Sequence, residues 1–240
     1  MGLTIHYGLR AKTRSARKAR QLLERLRQRA LDLPFAEVGE IVELEGEACD
    51  FQGYDRDNPL RRLAVQAGQY VIRDDRHYRV APAHVIAFST WPGEGCEEAN
   101  FGLGIYPKTI EVERWPHGRT TKLRTGIKDW SWASFCKTQY ASNPECGGVP
   151  HFLRCHLSVV KMLDFAKELG ILENVRDEGE FWENRNVESL AREVGEWNEM
   201  IAAQFGKLQE SFGDGLVSPI TDYPDFEHLE AKGREPKQSP

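Results

Sequence analysis

The chain has 240 residues, 40% of them apolar and 29% charged, which excludes intrinsic disorder and is enough for one large hydrophobic core or two modest ones. No apolar run approaches the roughly 20 residues a membrane-spanning helix needs, and the opening MGLTIHYGLRAKTRSARKAR lacks the apolar core of an export signal. Net charge is −5, so bulk electrostatics disfavour a polyanionic partner. The charge is uneven: residues 9–30 hold nine basic side chains against the single acid Glu24, and the rest of the chain is correspondingly acidic. Nucleic acid is therefore expected to engage only the basic stretch 10–29, if at all. Five scattered cysteines, an odd number, point to free thiols in the cytoplasm rather than a disulfide framework.

Residues 3–9 alternate, with Leu3, Ile5 and Tyr7 on one face and Thr4, His6 and Gly8 on the other, the pattern of a half-buried strand. Ser15 is placed to cap a helix whose Ala16, Ala19, Leu23, Leu26 and Ala30 form an apolar stripe, ending at Leu33-Pro34. Residues 38–45 read as a second strand. Residues 53–66 are polar and turn-rich, a surface excursion. Residues 70–73 and 78–80 flank Asp74-Asp75-Arg76 as a hairpin, and 85–91 (VIAFSTW) form a strand rich in β-branched and aromatic residues. In 101–106, Gly102 and Gly104 leave one strand face bare, which signals close approach by a backbone, a ring or a ligand.

A strand over 109–114 is followed by a turn at 116–118, and Trp130 and Trp132 point the same way if 122–140 is extended. After a loop at 143–148, residues 149–183 read as strand, helix and returning strand. Asn186 then caps a helix with the stripe Leu190, Val194, Trp197, Ile201, Phe205 and Leu208, stopped at Gly213. Tyr223, Phe226 and Leu229 suffice for a short docked segment, with disorder expected beyond Ala231.

The N-terminus carries a faint copy of 149–183. LTIHY (3–7) matches LRCHL (153–157), Ser15 and Lys18 match Ser158 and Lys161, and VELEGE (42–47) matches VRDEGE (175–180), all in the same order. This predicts an α+β fold: two duplicated βαβ-type, ferredoxin-like units in one mixed or largely antiparallel sheet, with helices on one face. The implied layout is one domain over 1–213, with a first unit at 3–49, an inserted region with extra strands at 50–148, a second unit at 149–183 and a C-terminal helix at 186–212. A tail follows at 214–240.

In that arrangement His6 and His156 lie on the face away from the helices, near a pseudo-twofold axis, with Glu45 and Glu178 beside them. Paired imidazoles and carboxylates can serve as acid and base or hold a divalent metal. A second cluster, Cys136, Cys146, His151, Cys155 and His156, has zinc-ligand residue types, but its spacing matches no usual knuckle. On a strand, Cys155 and His156 would also point to opposite sides. A third group, Trp130, Trp132, Lys137, Tyr140 and Arg154, combines rings with cations and suits a flat or anionic ligand, although the tryptophans can equally cover the bare glycines. Phosphate loops, dinucleotide fingerprints, nucleophile elbows and zinc-protease signatures are absent, and no cofactor is implied beyond a divalent metal. Two functions follow: a cytoplasmic module binding a small ligand or partner on the sheet face between the units, or an enzyme using the histidines and carboxylates for metal-assisted hydrolysis.

Overall fold

A computed structural model describes residues 3–49, 63, 67–114, 119–212 and 218–234. Twelve strands are present among them: β1 (Thr4–Ala11), β2 (Glu37–Val38), β3 (Val42–Glu45), β4 (Gln69–Arg73), β5 (Arg76–Val80), β6 (His84–Phe88), β7 (Thr90–Trp91), β8 (Phe101–Ile105), β9 (Thr109–Arg114), β10 (Arg119–Arg124), β11 (Trp130–Lys137) and β12 (Leu172–Asp177). The α-helices whose bounds lie among the described residues are α1 (Ala16–Leu31), α2 (Gly148–Glu168), α3 (Phe181–Asn184), α4 (Val187–Phe212) and α5 (Phe226–Arg234). The expected surface excursion at 53–66, the turn at 116–118 and the stop at Gly213 lie outside the described residues, apart from Leu63, which is buried.

Six strands form one antiparallel sheet in the order β12-β1-β11-β8-β6-β3, with helices on one face, and three two-stranded pairs sit around it. The α+β expectation holds at this level. Strand β1 follows its alternation: Leu3, Ile5, Tyr7, Leu9 and Ala11 are buried, while His6 is exposed. Helix α1 starts where Ser15 accepts a hydrogen bond from the Lys18 amide, and of its predicted stripe Ala19, Leu23, Leu26 and Ala30 are fully buried and Ala16 is half-buried. Each of those leucines contributes about 1.5–3 kcal/mol of apolar burial. Asn186 caps α4 as expected, accepting from the Ser189 amide at 3.0 Å.

The duplication fails at its second copy. Residues 153–157, read as a strand, are the second and third turns of the 21-residue helix α2. The five-residue alternation there is a fragment of a longer helical stripe: Phe152, Cys155, His156, Val159, Val160, Leu163 and Ala166 are all buried at three-and-four spacing. Ser158, matched in the sequence to the capping Ser15, lies mid-helix and donates back to the Arg154 carbonyl at 2.7 Å. With no leading strand in the second unit, the ferredoxin-like repeat is not formed, and β11, β8 and β6 stand between β1 and β3.

Smaller differences have local causes. The strand expected over 38–45 divides in two: β2 pairs with β7 in the register Val38–Thr90, whereas β3 pairs with β6 in the register Val42–Ala87, one residue out of step, so the ladder breaks between them. The tail docks through Ile220 and Tyr223 against α4, and α5 continues to Arg234, past the point where order was expected to end.

The bare face of β8 is filled by rings. A Cβ at Gly102 would lie 2.7 Å from the Trp132 ring and 2.8 Å from the Ala87 side chain, and one at Gly104 would meet the Tyr106 ring. Trp132 thus covers the glycine, as its position in the sequence allowed. Gly102→Ala is expected to overpack this contact and cost about 1–3 kcal/mol, seen as a lower urea midpoint with an unchanged slope.

Candidate functional site

The two histidines expected to converge lie on opposite sides of the sheet. In the antiparallel pairing of β1 with β12, Ile5 faces Asp177 and His6 faces Arg176. Asp177 therefore shares the helix-side face of Ile5, where His156 of α2 meets it at 3.1 Å. His6 points away, tilted against Phe135 and 3.9 Å from a Glu178 carboxylate oxygen. The physical reason is the helical state of residues 153–157, which carries His156 above the sheet rather than within it.

His156 is fully buried, and both ring nitrogens are engaged, Nδ1 with the Thr138 hydroxyl at 3.0 Å and Nε2 with Asp177. Asp177 also accepts the Gly179 and Trp182 amides at 2.9 and 3.0 Å. Burial pushes the Asp177 carboxyl up, but the hydrogen bond and charge of His156 together with the two amides outweigh it, and the net displacement is downward. The pair ties α2, β12 and the start of α3 together, with no opening to solvent.

The aromatic and basic group separates into four places. Lys137 lies over the Tyr140 ring at 4.5 Å, and Arg154 donates to His151 at 2.7 Å. Trp132 is buried and donates its indole N–H to the Asn100 carbonyl at 3.0 Å. Trp130, also buried, sets its ring against His84 with centroids 4.9 Å apart.

That last contact leads to a cluster of which only Glu45 was expected. Strand β3 pairs with β6 so that Glu45 stands opposite His84, and Glu43, two residues earlier, falls on the same face. His84 Nε2 lies 2.8 Å from a Glu43 oxygen and 3.4 Å from a Glu45 oxygen, and the three donor atoms lie within 4.8 Å of one another. Arg20 of α1 holds the other Glu43 oxygen and also binds Glu24. Burial alone would raise the Glu43 carboxyl. His84 and Arg20 more than offset this and hold it below the usual carboxylate range, ionised and oriented. Because Arg20 is shared with Glu24, the cluster keeps net negative charge. The Glu45 side chain is 71% exposed and His84 only 16%, so the group is anchored at one end and open to solvent at the other.

Beside the sheet, the β4–β5 hairpin and the 125–128 loop border an open cleft of about 640 Å³, lined among others by Gly8, Arg10, Tyr70, Ile72, Lys128 and Asn174. Arg10 is already held by Asp129 at 2.8 Å and Glu173 at 3.3 Å. No helix among the described residues is long and apolar enough to cross a membrane. Comparison with protein-family models, curated proteins and solved structures found no match.

Replacing Asp177 by alanine would leave the buried His156 Nε2 and the Gly179 and Trp182 amides without their acceptor, and a loss of about 1–3 kcal/mol is expected in urea unfolding at pH 7. The sign with pH follows from the lowered carboxyl: its contribution is present above the ordinary aspartate value near pH ~4. It fades as pH falls through the still lower native value. The stability gap between wild type and Asp177→Asn is therefore expected to narrow on acidification, measured by paired urea titrations.

Proposed function

We propose that the protein is a metal-dependent enzyme of hydrolytic type whose divalent cation is held by Glu43, Glu45 and His84. The observation that carries this reading is the convergence of two carboxylates and one imidazole on one face of the sheet edge, within the span of a single coordination sphere. Mixed oxygen and nitrogen donors suit manganese or zinc better than magnesium or calcium, which favour oxygen alone. Three protein ligands with an exposed side leave coordination positions for water and substrate. A cation there would supply Lewis acidity and a nucleophile near neutral pH. Arg20 fixes the Glu43 carboxylate and Trp130 fixes the His84 ring, which is the outer support that metal ligands require.

The test is calorimetric titration of the metal-stripped protein with manganese and zinc, followed by assay of simple ester and phosphoester substrates with the tighter ion. Stoichiometric binding is expected, weakened at least about tenfold in His84→Ala and in Glu45→Gln. Turnover should disappear on chelation and return with metal. Binding that is indifferent to both substitutions would remove the site.

A second reading, small-ligand binding on the sheet, is supported by the cleft beside the β4–β5 hairpin. Its Tyr70 and Ile72 side chains are 63% and 55% exposed, although both are large and one is wholly apolar. Lys128 and Arg73 add positive charge to the same wall. This favours a flat anionic ligand, and Tyr70→Ala would then weaken it by about 1–3 kcal/mol if a ring stacks there, read as a shift in dissociation constant.

A further inference from the structure

A second chemical centre, independent of the metal reading, lies where the loop 92–96 (PGEGC) crosses the first turns of α2. The helix places His151 and Cys155 four residues apart on one face, with Cys155 Sγ 3.6 Å from His151 Nε2. The loop meets this face at three points. The Pro92 carbonyl accepts from the Cys155 thiol at 3.3 Å, the Glu94 carbonyl lies 3.0 Å from His151 Nε2, and the Cys96 thiol hydrogen-bonds to Cys155. So close an approach needs glycine at 93: a Cβ there would stand 2.8 Å from the imidazole and 3.1 Å from the Cys155 sulfur, and its φ of +150° also disfavours a side chain.

The hydrogen-bond pattern fixes the proton on the imidazole. Arg154 reaches His151 Nδ1 at 2.7 Å, and a guanidinium can only donate. Nδ1 is therefore the acceptor, and Nε2 carries the hydrogen, which it directs at the Glu94 carbonyl and the Cys155 sulfur. The hydrogen bond from Cys96 acts most strongly to draw the Cys155 thiol below its ordinary value; burial opposes this, and the Arg154 charge reinforces it. The same hydrogen bond and burial push Cys96 up. One thiol is thus made the better nucleophile and the other is kept as a protonated neighbour.

We propose that Cys155 and Cys96 are a redox-active thiol pair that a hydroperoxide closes to a disulfide, with Cys155 as the attacking sulfur. The Cys155 thiolate attacks one oxygen of hydrogen peroxide, an S–O bond forms as the O–O bond breaks, and hydroxide leaves and takes up the proton that Cys155 released. The Cys96 sulfur then attacks the sulfenic acid at Cys155, the S–O bond breaks and water departs with the Cys96 proton. Two thiols and one peroxide give one disulfide and two waters, the peroxide being reduced. Cys155 is wholly buried beneath the loop and Cys96 partly so, which excludes a protein disulfide as the oxidant and restricts the reaction to a small one. Cys136, also buried nearby, is pushed up by its burial and by Glu97 and is the bystander.

The experiment treats the reduced full-length protein with one equivalent of hydrogen peroxide and counts thiols after denaturation. Loss of two of the five thiols is expected, with a mass decrease of two hydrogens and a peptide map linking Cys96 to Cys155. In Cys96→Ser, the sulfenic acid at Cys155 should persist and be trapped by dimedone, whereas Cys155→Ser should leave Cys96 reduced. Arg154→Ala should slow alkylation of Cys155 by about tenfold, because the thiolate loses a neighbouring positive charge. Should a variant fail to fold, the wild-type peptide map decides alone. A bridge from Cys155 to Cys136 or Cys146, oxygen addition without any bridge, or five intact thiols under conditions that oxidise free cysteine would each overturn the proposal.

Discussion

The structure depends on the unbroken ladder between β1 and β11, in which eight residues from Thr4 to Ala11 pair one for one with Lys137 to Trp130. Antiparallel partners share a face, so this register decides together which side chains meet the helices. Ile5 with Cys136, Tyr7 with Ser134 and Leu9 with Trp132 go inward; His6 with Phe135 goes outward. Two hydrogen bonds lock the choice: the Tyr7 hydroxyl and the Trp132 indole both donate to the Asn100 carbonyl, at 2.8 and 3.0 Å. A slip of one residue would expose the first set and strand both donors. The flanking strands inherit their orientation from this ladder, including β12, whose Asp177 must face His156.

What could be read from the chain alone was whatever had one periodicity and enough length. Strand β1, helix α1 with its Ser15 cap and helix α4 with its Asn186 cap each show an unambiguous pattern. Residues 153–157 satisfy two periods at once over five residues, and the longer window, from Phe152 to Ala166, decides for helix. That one misassignment spread to the site. On a strand, Cys155 and His156 would face apart and His151 would be remote; on the helix, His151 and Cys155 stack and His156 turns into the core. The Glu45 carboxylate was visible as part of an alternating VELE, but its partners were not. Joining it to His84 requires the pairing of β3 with β6, whose residues lie about forty positions apart with no motif to announce it.

The buried and the open histidines also show how surroundings divide the same residue type between structure and chemistry. His156 has all its hydrogen-bonding capacity consumed by Thr138 and Asp177 and no exposure, so it fastens elements together. His84 and His151 each keep a nitrogen directed at groups that can bind or react, near the surface. Fold alone would not have separated them.

Among the described residues strand β3 is outermost in the six-stranded sheet, and an outermost strand can offer backbone groups to another extended chain. Two glutamates on such a strand are charges of the kind that discourage pairing. A dication seated between them would cancel this repulsion, so saturation of the cluster and self-association of the molecule along that border would be linked, and the metal-loaded form would be the one more prone to assemble edge to edge.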